Sequence, residues 1–313
     1  MPNVPYVTLN NGVTMPMLGL GVYLTPGDQT ASAVESALSA GYRMVDTAAV
    51  YGNEGEVGEG IKRSGLNRSD LFVTTKLWMA DYGYEQALRG FDASLEKLGL
   101  DYVDLYLLHW PAPSSFEATS SAYRAAESLL AQKRTRAIGV CNFNADHLDR
   151  LAWTATIGPA INQIELHPLF SQQKLRRENA ARNIVTQAWS PIGGIYINHP
   201  NDPSHITRVL DHPVLVGLAA KHGRTAAQVV LRWHIQNGTA VIPKSVNSQR
   251  IAQNIRVFDF ALTDDDMHAI DALDTGTRAG RDPEQFDMDF IRARAAAAKK
   301  AEQAASPTGR SPG

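Results

Sequence analysis

Short apolar runs recur along the chain, with room for a helix between most neighbouring pairs. They fall near Leu18 to Tyr23, Tyr42 to Val45, Leu71 to Thr75, Val103 to Leu108, Ala137 to Val140, Ala160 to Ile164, Ile184 to Ala188 and Ala240 to Ile242. The clearest helical stretch places Leu88, Phe91, Leu95 and Leu98 three, four and three residues apart, on one face of a 3.6-residue helix, with Gly99 suited to its C-cap. Another helix starts at Thr225, where Gln228 completes a capping box ahead of Val229, Val230 and Trp233. Strands separated by helices imply a parallel sheet, because each crossover returns the chain to the same end, and eight such strands close a barrel. The pattern predicts an α/β fold of the (β/α)8 TIM-barrel type.

Three segments stand outside the repeat. Val7-Thr8-Leu9 and Val13-Thr14-Met15, joined around Asn10-Asn11-Gly12, predict an N-terminal β-hairpin. Thr263 followed by three aspartates predicts the capped start of an extra C-terminal helix carrying Met267 and Ile270, which packs on the barrel's exterior. From Arg292 onward large apolar residues are nearly absent, so residues 292–313 are expected to be a frayed helix and then disorder, leaving 1–291 as a single catalytic barrel. A doubly wound dinucleotide fold is the rival, but Gly19-Leu20-Gly21 has Leu24 where that fingerprint needs its third glycine.

Candidate chemistry sits at the ends of the apolar runs, where barrel enzymes keep their reactive groups. Asp46 follows Arg43-Met44-Val45, Tyr51 lies five positions on, Lys76 follows Leu71-Phe72-Val73 and the threonines, and His109 follows Leu105 to Leu108. Their contexts are Gly41-Tyr42-Arg43-Met44-Val45-Asp46-Thr47-Ala48, Tyr51-Gly52-Asn53-Glu54 with Val57-Gly58, Thr74-Thr75-Lys76-Leu77-Trp78 and Leu107-Leu108-His109-Trp110-Pro111. With Gly139-Val140-Cys141-Asn142-Phe143, Asn162-Gln163-Ile164-Glu165-Leu166-His167-Pro168, Trp189-Ser190-Pro191 and Ile242-Pro243-Lys244-Ser245, the chain resembles the aldo-keto reductase superfamily over roughly residues 5 to 290. The motifs look most similar to bacterial 2,5-diketogluconate or methylglyoxal reductases.

Reducing a carbonyl by hydride leaves an alkoxide that must be protonated, and a free phenol is a reluctant donor at neutral pH. The proposed division of labour, which the resemblance also implies, makes Tyr51 the general acid and Lys76 the neighbour that lowers its pKa. Asp46 anchors the lysine, and His109 orients and polarises the carbonyl. Coincidental structural polar residues are the bland alternative.

No coded side chain supplies hydride, so a cofactor is required. The resemblance implies a nicotinamide extended across the C-terminal mouth of the barrel, bordered by Asp46 and the Gly21-Val22 backbone. Asn142 and Gln163 are the amides for its carboxamide and Trp189 the ring to stack on it. The family's serine before that asparagine is replaced by Cys141, a weaker donor, so the loss of one contact is expected. Ser190, Pro191 and Gly193 form a turn suited to pyrophosphate. Lys244, Ser245, Arg250 and Asn254 suit a phosphate monoester, which favours NADPH over NADH. Gln253 stands where the family often has glutamate. Tyr23, Trp78 and Trp110 are expected to wall the substrate pocket, core packing being the alternative. The loops after strands four and seven and the stretch Asp282 to Phe290 should tune it, and the short Pro111 to Phe116 loop suggests an open pocket. Aldehydes, α-dicarbonyls and keto-sugars are the expected substrates.

Composition narrows the remaining possibilities. The 313 residues carry a formal net charge of -2, with no basic stripe among aromatics, so no nucleic-acid partner is expected. A single cysteine, an N-terminus without an apolar h-region and the lack of a span-length apolar stretch predict a cytoplasmic protein with no membrane partner. His199, His205 and His212 crowd one Pro- and Asn-rich segment, but their spacing matches no zinc motif, so no metal is expected. No heptad seam is visible, and the resemblance implies a monomer. A barrel retained as a nucleotide-binding regulatory or structural protein with little turnover is the alternative from another class, against which the intact set of proton-handling residues argues.

Overall fold

The computed structural model describes residues 4–193 and 209–289. An antiparallel hairpin of β1 (Tyr6–Thr8) and β2 (Thr14–Pro16) opens the chain, in the segment where the sequence predicts one. The repeat follows as β3 (Leu20–Gly21), α1 (Gly27–Ser39), β4 (Met44–Asp46), α2 (Glu54–Ser64), β5 (Phe72–Leu77), α3 (Tyr84–Leu98), β6 (Val103–Leu108), α4 (Phe116–Ala131) and β7 (Thr135–Cys141). It continues with α5 (Ala145–Ala152), β8 (Ile161–Glu165), α6 (Gln173–Ala181), β9 (Val185–Trp189), α7 (Pro213–His222), α8 (Ala226–Gln236), β10 (Ala240–Val241), α9 (Ser248–Asn254) and α10 (Asp264–Asp271).

Strands β3 to β10 pair in sequence order, all parallel, in one eight-stranded sheet. The ring closes between its first and last strands by backbone hydrogen bonds, Gly19 N donating to Val241 O at 2.9 Å and Val241 N to Met17 O at 2.9 Å. Each predicted apolar run overlaps one of these strands, and several strands extend past the run that marked them. The first and last are only two residues long, because that seam consists of isolated bridges rather than a continuous ladder.

Side chains on successive strand positions point to opposite faces, and here each face has its own core. Met44, Phe72, Leu105, Leu107, Ala137, Ile161 and Ala240 fill the barrel, plugged from the hairpin side by Leu9, Met15 and Met17. Val45, Val73, Tyr106, Leu108, Ile138 and Ile164 face outward against the helices. Burial on both faces explains why β5 and β6 are buried at every position.

The helix signals correspond to built ends. Gly99 takes a left-handed φ of 64° after α3, Thr225 and Gln228 exchange capping bonds at α8, and Thr263 with Asp266 does the same at α10. The expected 292–313 tail lies outside the described residues, as do His199, His205 and Phe290.

At Gly58 on α2, an added Cβ would lie 2.2 Å from the Leu98 carbonyl oxygen at the end of α3. Alanine raises intrinsic helix propensity by about 1 kcal/mol, but a fixed backbone carbonyl cannot give way, and overpacking costs about 1–3 kcal/mol. Gly58→Ala is therefore expected to lower stability in urea unfolding; a stabilised variant would show that the two helices separate freely.

Candidate active site

A cavity of about 580 Å³ opens at the C-terminal ends of the strands. Asp46 lines it and Lys76 stands behind Asp46 and Tyr51, because both continue the inward-facing period of β4 and β5, after Met44 and after Phe72 and Thr74. Tyr51 comes from a 3₁₀ turn, Ala49–Tyr51. That turn is held by Thr47 Oγ1 donating to Asn53 Oδ1 at 2.8 Å and by Asn53 Nδ2 donating to Val22 O at 3.0 Å.

Lys76 is fully buried, and its Nζ donates to Asp46 Oδ1, to Thr47 O at 2.9 Å and to Tyr51 Oη at 3.5 Å. Asp46 Oδ2 accepts from Gln163 Nε2 at 2.7 Å. The pair holds as ammonium and carboxylate because each charged group has its partners in place. Burial, the largest single effect, pushes the Lys76 ammonium down, but the charges of Asp46, Tyr51 and Cys141 and the Asp46 hydrogen bond together outweigh it and the group is raised. Burial pushes the Asp46 carboxyl up, against Lys76 and Gln163, which favour its anion.

Lys76 acts on the tyrosine in the expected direction, yet burial is the larger effect and the Tyr51 phenol is raised overall. The expectation of a net lowering is therefore corrected: Tyr51 carries its proton throughout the neutral range. Burial, and then the Lys76 charge, hold the His109 imidazole well below its ordinary range, so it is neutral. Its ring stands edge-on to Tyr51 at 5.6 Å and to Trp78 at 5.4 Å, with a buried Nδ1 that has no partner.

The other predicted residues divide. Gly21, Asn142, Gln163, Trp189, Ser190, Pro191, Gly193 and Lys244 line the same cavity. Asn142, with a left-handed φ of 63°, donates to His109 O at 3.0 Å and accepts from Trp189 Nε1 at 2.8 Å. Gln163 has both amide protons engaged, on Asp46 and on Gln187 Oε1 at 2.8 Å, and accepts from Cys141 Sγ at 3.6 Å. Its carbonyl oxygen is what it has left to offer a ligand. Val22 is buried in the outer core and contributes backbone only, its N–H donating to Asp46 O at 3.2 Å. Ser245, ahead of α9, and Arg250, Gln253 and Asn254, along it, are not among the residues lining the cavity, and Asn247 caps the helix by accepting from Arg250 N at 3.0 Å.

Tyr23, Trp78 and Trp110 line the cavity, and so do Leu24, Val50, Ile192, Arg281 and Phe286, none of which the sequence singled out as a pocket residue. Phe286 packs 4.6 Å from Trp110, inside the stretch from Asp282 expected to tune the pocket. Only position and chemistry within that stretch could have signalled it. The loop from Pro111 is short, with a 3₁₀ turn at Pro113–Ser115 leading into α4. His212 caps α7 by accepting from Val214 N at 3.3 Å. No described helix is long and apolar enough to cross a membrane.

A strand-end lysine–carboxylate pair beside tyrosine and histidine in a (β/α)8 barrel marks a class of carbonyl oxidoreductases, and residues 18–275 match the Aldo/keto reductase family. The chain is 57% identical over 285 residues to morphine 6-dehydrogenase of Pseudomonas putida, covering 90% of this chain and 96% of that protein. A crystal structure of an aldo/keto reductase from Brucella melitensis superposes with a TM-score of 0.81 at 47% identity, covering 87% of this chain and 100% of that one. A Bombyx mori aldo-keto reductase in complex with NADP superposes with a TM-score of 0.83 at 36% identity, covering 91% and 98%. The chain belongs to the aldo/keto reductase family and is an oxidoreductase, in a family whose cofactor is NADP(H).

Beneath the Ser190-Pro191 turn, His234 Nε2 donates to Pro191 O at 2.9 Å. Burial pushes this imidazole down to about 3, against the carbonyl bond, which favours the proton. The unfolded chain binds a proton below about pH 6.5 that the folded protein refuses. This group's contribution to stability is therefore full above about pH 6.5 and is lost as pH falls towards 3, by about 2 kcal/mol at pH 5. Urea unfolding of wild type and His234→Gln at pH 7 and pH 5 checks this: the wild type should lose the larger amount.

Proposed function

We propose that the protein is an NADPH-dependent carbonyl reductase in which Tyr51 is the general acid, Lys76 and Asp46 control it, and His109 orients the substrate oxygen. The observation that carries this reading is the Tyr51 hydroxyl lying 3.5 Å from an ammonium pinned by a buried carboxylate, at the mouth of an aromatic cavity. Bound NADPH supplies the hydride. The chain's own groups supply the proton and the geometry.

With Nδ1 buried and unpartnered, the His109 proton is assigned to Nε2, which donates to the carbonyl oxygen and favours the charge that develops there. Tyr51 then donates its proton to that oxygen. A raised phenol pKa keeps the acid loaded, and the Lys76 ammonium stabilises the phenolate left behind. Asp46 keeps the ammonium charged and in place.

The cavity fits the nicotinamide end of the cofactor through Trp189, Asn142 and the remaining oxygen of Gln163, with the Ser190-Pro191-Gly193 turn and Lys244 towards the phosphates. Ser245, Arg250 and Asn254 would hold the 2′-phosphate and Gln253 would lie towards the adenine. The aromatic wall suits aldehydes, α-dicarbonyls and keto-sugars, including substrates with an apolar body such as the name of the Pseudomonas putida relative implies for that enzyme. The reading includes a monomer working in the cytosol, without nucleic-acid or membrane partners.

A panel of methylglyoxal, phenylglyoxal, nitrobenzaldehyde and diketogluconate, followed by NADPH consumption, tests the activity. Tyr51→Phe should reduce kcat by at least about 10²-fold while NADPH still binds, as removal of a general acid requires; binding without turnover in the wild type would instead favour a regulatory or structural barrel. Arg250→Ala should weaken use of NADPH about tenfold or more and leave NADH nearly untouched, in line with loss of a charge-assisted phosphate contact. Equal use of the two cofactors by the wild type would refute the phosphate assignment.

A further inference from the structure

Glu165 at the end of β8 is almost wholly buried, and the proposed reaction gives it no task. Its two carboxylate oxygens accept from successive backbone amides of the C-terminal strap: Ala279 N to Oε1 at 2.7 Å and Gly280 N to Oε2 at 2.9 Å. Arg278 Nη1 lies 3.7 Å from Oε2, and His167 Nε2 lies 3.1 Å from Oε1. One residue past this clamp, Arg281 enters the cavity, its guanidinium 4.7 Å from the centre of the Phe286 ring. Phe286 in turn stands 4.6 Å from Trp110 and 6.1 Å from Trp78. Downstream, Asn144 Nδ2 donates to Glu284 Oε1 at 2.8 Å and His147 Nε2 lies 3.2 Å from the same oxygen, but Glu284 is an exposed carboxylate, whereas Glu165 is buried.

The clamp also reaches the cofactor side. A Cβ on Gly280 would lie 2.5 Å from Trp189 Cη2 and 2.6 Å from Glu165 Oε2, so the strap backbone rests directly against the indole. Trp189 Nε1 donates to Asn142, and Asn142 donates to the His109 carbonyl.

We infer that Glu165 is a positioning residue for substrate selection: by holding two consecutive strap amides it fixes Phe286 as a wall of the pocket, and so favours carbonyls with a bulky aromatic body. This rests on the reductase reading above. A carboxylate suits the task because both of its oxygens accept, whereas an isosteric amide presents an N–H to one of the two donors and lets the strap go.

The test compares wild type, Glu165→Gln, Gly280→Ala, Phe286→Ala and the Glu165→Gln/Phe286→Ala double variant. Glu165→Gln should lower kcat/KM for nitrobenzaldehyde about tenfold, mainly through KM, the size expected for losing one aromatic contact, and should lower it distinctly less for methylglyoxal. The double variant should be no worse than Phe286→Ala, since both changes remove one interaction. Gly280→Ala displaces the strap by another route and should show the same split. Hydrogen exchange at the Ala279 and Gly280 amides should quicken in Glu165→Gln, a readout that needs no turnover. Additive losses, an equal fall for both aldehydes, or unchanged exchange would overturn the assignment. A wild type that reduced no carbonyl would remove the reductase reading, and exchange alone would then decide whether the clamp exists.

Discussion

The contact on which this molecule turns is the buried pair of Lys76 and Asp46. Removing both charges from water costs several kcal/mol per ion, and an ammonium without partners would shed its proton instead. The cost is met locally: the ammonium has a carboxylate, a backbone carbonyl and a phenol, and the second carboxylate oxygen takes the Gln163 amide. Below this layer the barrel is packed with Met44, Phe72, Leu105 and Leu107, which offer the charges nothing. The polar layer must therefore satisfy itself, and this fixes where Thr47, Tyr51 and Gln163 stand.

Burial acts on the tyrosine in two opposing ways. It strengthens the field of Lys76, which favours a phenolate, and it penalises the phenolate for leaving water. The second effect is larger in the folded chain, so Lys76 does not create an ionised tyrosine at rest. A proton donor is useful only while it holds its proton. The field of Lys76 matters at the moment of transfer, when the charge it favours appears, and a fixed ammonium then needs no reorganisation.

The strands and the inward-facing Asp46 and Lys76 were legible because a barrel imposes a period on sequence: apolar runs for walls buried on both faces, reactive groups at their ends. Gly99, Thr225 and Thr263 were legible because caps are local chemistry. What sequence withheld was long-range. The clamp joins Glu165 to Gly280 across 115 residues, and the segment carrying Arg281 and Phe286 has no period to betray which side chain turns inward. Gln163 was recognisable as a site residue, but its two donors are spent on Asp46 and Gln187, which only the fold brings within reach. The expected net acidity of Tyr51 failed for the same reason, since burial is a property of the whole surround and not of a neighbour in sequence.

Of the seven described non-glycine residues with a left-handed φ, three lie at the site and four, Ala112, Lys133, Gln172 and Asn183, do not line it. Leu24, Asn142 and Ser190 all hold a left-handed φ, at 54°, 63° and 48°, and all three line the cavity. Such conformations cost of order 1 kcal/mol or more for residues with a Cβ and persist only where surrounding contacts over-determine them. Asn142 has those contacts in Trp189 and the His109 carbonyl, and the Ser190-Pro191 turn has His234 beneath it. Leu24 is different: it is 71% exposed at the rim, so burial does not compensate its strain. Covering such an apolar side chain gains free energy in proportion to the area removed from water, whatever its backbone state. Leu24 thus leaves an exposed apolar surface at the rim, while the regular barrel below keeps the charged pair in place.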